Sequence, residues 1–345
     1  MATIRDIAEL CSVSVMTVSN ILNGKTDKAS KDTVERVLDA AKSLGYEPNV
    51  YARELRQKNT RLIGVIAEDI NMFTTPPIIE AVMAFCEENG YRVLVKNLRM
   101  YTRWKDNWYR NDKEIASVVG PAVRELKSLK AAGMIYIAGH SRDAEPFPED
   151  PGIPAVLIYA RSLSGKCTSV LIDDAGGARN MTELLIGKGC RRIGLLCGHP
   201  DNLHTIRRLE GYKEALLAAG IPFDPELVVY GNWERAKAAE ETRVLLERKA
   251  DAIFAMSDEM AGGVYDCLNS MDLTAGKDIS VAGFDDHVIA GYLHPALTTM
   301  KLPLARMGRE DARNLLERIG SGETECPVIT CRCSLVERDS VAEKK

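Results

Sequence analysis

From Leu62 onward the chain alternates short, continuously apolar runs with stretches of helical periodicity, and no other feature narrows the possible folds so far. The runs are LIGVIA, YRVLVKN, MIYIAG, AVLIY, SVLIDD, RIGLLCG, AIFAMS and ISVAGFDD. Each is short and followed by turn residues, and apolarity at every position means burial on both faces, the environment of a parallel sheet covered by helices. Helices expected over 77–89, 175–188, 207–219, 234–248 and 304–319 supply that cover. The alternation predicts doubly wound α/β layers, and the number of strands suits two lobes better than one sheet. Ligands of such sheets sit beyond the carboxyl ends of the strands.

The first segment follows a different rule and reads as three short helices. Thr3 with Asp6 makes a capping pattern for a helix over 4–11, Ser14 caps a second, and Ser30 caps a third that runs to Leu44. Val34, Val37, Ala41 and Leu44 mark the buried stripe of the third, and Gly45 followed by Pro48 ends it. Helices this short need one another as a core. Only Ser12 and Val13 separate the first two, which forces the sharp angle of a helix-turn-helix. In the second helix Val18, Ile21 and Leu22 face inward, leaving Val15, Met16, Thr17, Ser19 and Asn20 toward the other side. That side is either a reading surface or a solvated one, because helical hairpins recur without DNA.

Charge does not decide the matter. The chain carries a formal net charge of −4, and its first 60 residues hold 9 Lys and Arg against 8 Asp and Glu, so bulk electrostatics makes no case for a nucleic-acid partner. The nine cysteines are dispersed, with Cys331 and Cys333 the only close pair, which argues against a disulfide framework or a zinc site. With no signal-like opening and no membrane-length apolar run, a soluble cytoplasmic protein without membrane association is expected. GxSxG, HExxH, Walker and GxGxxG signatures are absent, and His140, His199, His204, His287 and His294 show no ligand spacing. Neither an enzyme nor a cofactor or metal is expected.

The stretches TIRDIAELCSVSVMTVSNILNG, GYEPNVYARELR, LIGVI, RRIGLL, RLEGYKEAL, VAGFDD and PALTTMKLP resemble the lactose-repressor/galactose-repressor (LacI/GalR) family of transcription regulators, in the family's order and over nearly the whole chain. The resemblance implies an all-α helix-turn-helix headpiece (1–47), a hinge helix and linker (48–60), and an α/β effector-binding and dimerisation core (61–345) like a type I periplasmic sugar-binding protein. Its two lobes are expected at about 61–159 with 288–319, and 160–287 with 320–345. It also implies a homodimer on a pseudopalindromic double-stranded DNA operator, acting as a repressor of carbohydrate uptake or catabolism genes under a small sugar-like effector.

Residue by residue, the resemblance places Val15, Met16 and Asn20 at bases of the major groove, and Ser14, Thr17, Ser19 and Asn23 at phosphates. In the hinge, Asn49 caps, Ala52 lets the partner helix approach, Leu55 wedges into the minor groove, and Arg53, Arg56 and Lys58 lie beside phosphates. Effector contacts are implied for Thr74, Thr75, Asp173, Asn202, Arg208, Trp233 and Asp285, with Tyr159 standing where a strand commonly ends in aspartate. A polyol wants bidentate partners such as Asp285 and Arg208 and an aromatic face such as Trp233. Each also has a structural explanation: Asp285 as a turn cap, Arg208 as a surface charge, Trp233 as core. The segment from Leu98 to Ala132, with Tyr101, Trp104, Trp108 and Tyr109, either folds over the cleft, forms a partner patch or packs within its own helix. Two alternatives lack a DNA role: a sugar-binding protein, and a glycoside hydrolase using Asp285 and Asp173 as paired carboxylates.

Overall fold

The computed structural model describes residues 2–46, 60–105, 112–147, 152–322 and 325–344, in two compact units, Met1–Thr60 and Arg61–Lys345.

In the first unit α1 (Ile4–Leu10), α2 (Val15–Leu22) and α3 (Lys31–Ser43) form from explicit caps. Thr3 and Asp6 make a full capping box, and the hydrogen bonds from the Thr3 backbone and side chain hold the exposed Asp6 carboxyl below its usual range. Ser14 and Ser30 accept the amides of Thr17 and Thr33. Both α2 and α3 end in a Schellman motif: Gly24 and Gly45 adopt positive φ, and the amides of Lys25 and Tyr46 reach back to Asn20 and Ala41. The turn before α2 places Ser12 at φ 52°. Ile7, Ala8, Cys11, Val18, Ile21, Val37, Ala40 and Ala41 form the core, with Val13 and Leu22 packed at its edge. Leu44 is not part of it: it is the C-cap of α3 and is exposed, and Ala40 takes the expected place because it lies on the same helix face as Val37 and Ala41.

The second unit opens with β1 (Leu62–Ala67), α4 (Thr75–Glu88), β2 (Arg92–Asn97), a single turn α5 (Met100–Trp104) and α6 (Asp112–Ser128). Then come β3 (Gly133–Ala144), β4 (Ala155–Ser162), β5 (Thr168–Ile172), α7 (Asp174–Gly187), β6 (Ile193–Cys197) and α8 (Leu203–Ala218). After these follow β7 (Val228–Tyr230), α9 (Arg235–Glu247), β8 (Ala252–Ala255), α10 (Asp258–Ser270) and β9 (Ser280–Asp285). The chain finishes with α11 (Ile289–Tyr292), β10 (Thr298–Lys301), α12 (Leu304–Ser321), β11 (Val328–Cys331) and β12 (Ser334–Val336).

Two six-stranded sheets result, in the orders β11-β5-β4-β3-β1-β2 and β12-β10-β9-β8-β6-β7. Every pairing is parallel except β10 with β12. The apolar runs become strands whose central members are buried throughout, as continuous apolarity requires.

The expected lobe limits need correction. A cut after Tyr159 falls inside β4, and β5, assigned to the second lobe, pairs with β4 in the first (Val156 beside Thr168). Conversely β10 belongs to the second sheet beside β9, and β11 returns to the first beside β5. The backbone therefore passes between sheets after Ile172, after Lys301 and between Cys331 and Ser334. Pairing between distant segments sets sheet membership, and local pattern does not report it.

Candidate functional site

In the first unit, α2 turns its apolar stripe inward and leaves Val15 and Met16 exposed at 43% and 69%. Ser14 and Thr17 use part of their hydrogen-bonding capacity on each other: the Ser14 Oγ accepts the Thr17 amide at 3.0 Å and lies 2.9 Å from the Thr17 Oγ1. Asn23 Nδ2 donates to the Ser19 carbonyl at 2.6 Å. Each hydroxyl keeps a lone pair or proton for an outside partner. Ser19 and Asn20 are half-buried on the flank of the same helix. The hinge residues Asn49, Ala52, Arg53, Leu55, Arg56 and Lys58 lie outside the described residues.

In the second unit a cavity of about 440 Å³ lies where the carboxyl ends of the two sheets meet. Both sheets contribute at the strand where their winding reverses, β1 in the first and β6 in the second, the place where open α/β sheets bind ligands. From the first sheet come Met72, Phe73 and Thr74 after β1, Tyr101 on α5, Gly139 and His140 in β3, and Tyr159 in β4. The second contributes His199, His204, Arg208, Trp233, Ser257, Asp285 and His287.

Five of the eight expected effector residues line this cavity: Thr74, Tyr159, Arg208, Trp233 and Asp285. Three do not. Thr75 is buried in the first turn of α4. Asp173 caps α7 by accepting the Gly176 amide at 2.9 Å and faces two smaller cavities instead. Asn202 is buried and caps α8 through the His204 amide at 2.9 Å. All three sit at helix starts, and Asp173 and Asn202 spend their side chains as caps. Because Asp173 is outside the cavity that holds Asp285, the paired carboxylates of a hydrolase are not assembled.

Behind the cavity wall, the carboxylate that holds the lining Arg208 is one with no signal in the sequence. Asp174, 4% exposed at its side chain, accepts from Arg208 Nε at 2.7 Å and sits 2.8 Å from His204 Nδ1. Burial works to raise its carboxyl, but His204 and Arg208 outweigh burial and hold it below the usual range. Arg208 also donates to the Met256 carbonyl and lies over the Phe284 ring at 3.7 Å, with Asp285 3.7 Å away. Burial pushes Asp285 well above the ordinary carboxylate value; Arg208 opposes this, and Asp258 and Asp174 add to it. The half-buried His140 imidazole is driven down to about 4, chiefly by loss of solvation. Behind the wall, Glu68 after β1 pairs with Arg142 and accepts from Tyr136 and, at 2.7 Å, from the Gly139 amide.

Backbone strain gathers here too. Tyr159, Asn232, Trp233 and Asp285 all line the cavity and all have positive φ, at 59°, 56°, 68° and 123°. Such conformations cost about 1–3 kcal/mol each in side-chain-bearing residues and persist where surroundings enforce them, often at binding sites. Gly198 makes room for one of them: a Cβ there would lie 2.0 Å from the Trp233 indole. Of the aromatic segment, Tyr101 reaches the cavity and Trp104 packs on the core, while Trp108 and Tyr109 lie outside the described residues. No sequence signal marks Asp174 or Glu68, since a carboxylate just past a strand is ordinary until its partners are known.

These two units define a class: a helix-turn-helix DNA-binding protein that carries a two-lobed α/β ligand-binding unit. Residues 3–49 match the model described as bacterial regulatory proteins, lacI family, and residues 182–341 match the periplasmic binding protein-like domain. The HTH-type transcriptional regulator RegA of Clostridium saccharobutylicum is 31% identical over 99% of both chains. CelR of Thermobifida fusca, another HTH-type transcriptional regulator, is 32% identical over 98% of both. Among solved structures, a CelR–cellobiose complex matches with a TM-score of 0.67 at 30% identity, covering 99% of this chain and 100% of that one. The Lac repressor dimer bound to operator shares the fold at a TM-score of 0.78 and 24% identity over 99% of each chain. The chain belongs to the lacI family and is a transcriptional regulator, not an enzyme.

Proposed function

We propose that this protein is a cytoplasmic repressor of carbohydrate uptake or catabolism genes, released or engaged by a small sugar-like effector in the cavity of the second unit. Two copies on a twofold axis read a pseudopalindromic operator, with Val15, Met16 and Asn20 at base edges and Ser14, Thr17, Ser19 and Asn23 at phosphates. Paired hinge segments, carrying Asn49, Ala52, Leu55 and Arg56, engage the centre of the site. Occupation of the cavity changes the angle between lobes, and that two-state element couples the effector to DNA.

One observation carries the effector reading: the cavity is bordered by strained residues and holds buried polar atoms, Tyr159 OH and Trp233 Nε1, that have no partner among the described residues. The relative solved with cellobiose supports a saccharide. Thr74, Tyr159, Arg208, Trp233 and Asp285 are the proposed contacts. A thermal-shift screen over sugars tests the cavity, because a ligand of the native state raises the melting temperature by mass action. Selection from genomic fragments tests the head; recovery of no preferred site, with or without the stabilising sugar, refutes the reading.

A further inference from the structure

The wall of the cavity is unbalanced in a way that selects among ligands, an inference that rests on its reading as the effector site. Arg208 is the only lysine or arginine among the described lining residues, and it is already committed. Its Nε holds Asp174 at 2.7 Å, its Nη1 donates to the Met256 carbonyl, and its plane covers Phe284. The other acidic groups on the described wall are Glu234 and Glu259, both exposed, and Asp285, whose carboxyl burial holds well above the ordinary value. Three of the four lining histidines do not supply the missing cation: the Ser141 amide donates to His204 Nε2 at 3.2 Å and the Ile289 amide to His287 Nδ1 at 3.4 Å, each of which requires an unprotonated nitrogen, and burial drives the His140 value down to about 4.

Tyr159 OH and Trp233 Nε1 are buried without a partner among the described residues. The indole N–H is a donor only, so its partner has to be an acceptor, and the phenol presents a second donor beside it. Both residues stand on positive-φ backbone, at 59° and 68°, strain of the kind that gathers at binding sites. An uncharged hydroxyl or ring oxygen satisfies such donors and leaves the carboxylates undisturbed. A phosphate or carboxylate brings an anion into a partly dehydrated site and finds no free lysine or arginine among the described lining residues to replace its water.

We propose that this cleft takes an uncharged polyol whose oxygens accept from Tyr159 and Trp233, and that it rejects the phosphorylated and carboxylated forms of the same molecule. The experiment is calorimetric titration of the full chain with neutral mono- and disaccharides, each run beside its phosphate ester and its aldonic acid. A neutral member binds, and its charged counterparts bind at least about 10-fold more weakly, the size of one lost charge-compatible contact. Tyr159→Phe, which removes only an unpartnered oxygen, weakens the neutral ligand about 3–10-fold while leaving the ligand-free melting temperature in place. A phosphate ester or acid that binds as tightly as the neutral sugar overturns the charge selection and leaves the effector reading standing. Undiminished affinity in Tyr159→Phe overturns the hydrogen-bond assignment. Binding by no saccharide overturns the effector reading, and this inference with it.

Discussion

Across the cleft of the second unit, the backbone amide of Ser141 on β3 donates to His204 on α8 at 3.2 Å. The opposite nitrogen of that imidazole faces Asp174, and Tyr159 meets its ring edge-on at 5.7 Å. One ring thus ties the first sheet to the second at the mouth of the ligand cavity. A second tie is the edge contact of Phe73 with His287 at 5.1 Å. Any change of lobe angle has to break or re-form these contacts.

His204→Ala therefore frees the Ser141 amide. Its hydrogen exchange is expected to quicken about 5–10-fold, matching a net hydrogen bond of about 1 kcal/mol. An unchanged rate at Ser141 shows that the imidazole does not hold the lobes.

Glu68 and Arg142 form an ion pair buried behind the cavity wall, with side chains 0% and 11% exposed. Glu68→Gln leaves the guanidinium without its counter-charge and is expected to cost about 3–5 kcal/mol in urea unfolding. Joint replacement of both residues by Met recovers most of the loss, since the desolvation cost disappears with the pair. Burial tends to raise the Glu68 carboxyl, but Arg142 outweighs it and the folded value is depressed. Stability from this group is therefore present above the unfolded value of about 4.3 and is lost as pH falls through the lower folded value.

Asp311 on α12 shows the opposite sign. It is fully buried, both carboxyl oxygens lack a hydrogen-bond partner among the described residues, and burial alone drives its value well above the ordinary one. The folded protein keeps this proton after the unfolded chain has lost it, so stability falls as pH rises from about 4 toward the folded value. Asp311→Ala is expected to gain about 1–3 kcal/mol at pH 7 and to flatten that slope. Urea midpoints at pH 5 and 8 read both effects, and a loss of stability at pH 8 contradicts the assignment.

In the first unit stability and recognition separate along one helix. Ile21→Ala removes a core side chain and is expected to cost about 2–5 kcal/mol, enough to melt so small a core. Met16→Ala, at an exposed position, changes stability by less than about 0.5 kcal/mol. It still weakens binding to the preferred DNA site by about 1–3 kcal/mol, the size of one mismatched base pair. Helical circular dichroism and gel shifts on the two variants distinguish these effects; equal DNA affinity in Met16→Ala removes that residue from the reading face.

Gly198→Ala forces the Trp233 indole out of its seat, because the added carbon would lie 2.0 Å from it. Tryptophan emission is expected to shift to longer wavelength as the indole gains water. Emission that matches the parent shows that the ring keeps its place.

Much of this protein is written in local pattern. Three Ser/Thr caps and the Gly45 stop of the head are legible one by one, because a cap is a contact between residues three to five apart. Eight strands announce themselves by apolar runs, although β2, at a sheet edge, is only partly buried; the short strands β7, β10, β11 and β12, of three or four residues, escape. Helix α8 starts at Leu203, ahead of the expected Arg207, since the Asn202 cap carries no periodic signal of its own. What tertiary structure alone decided is which sheet receives β5, β10 and β11, and which polar groups meet in the cleft. Glu68 finds Arg142 at a separation of 74 residues, and Ser141 finds His204 at 63. Asp173 and Asp174 are neighbours in the chain, yet one caps a helix and the other holds the central arginine. Periodicity records which face of an element is buried; the partner waiting on that face is set only when distant elements pack.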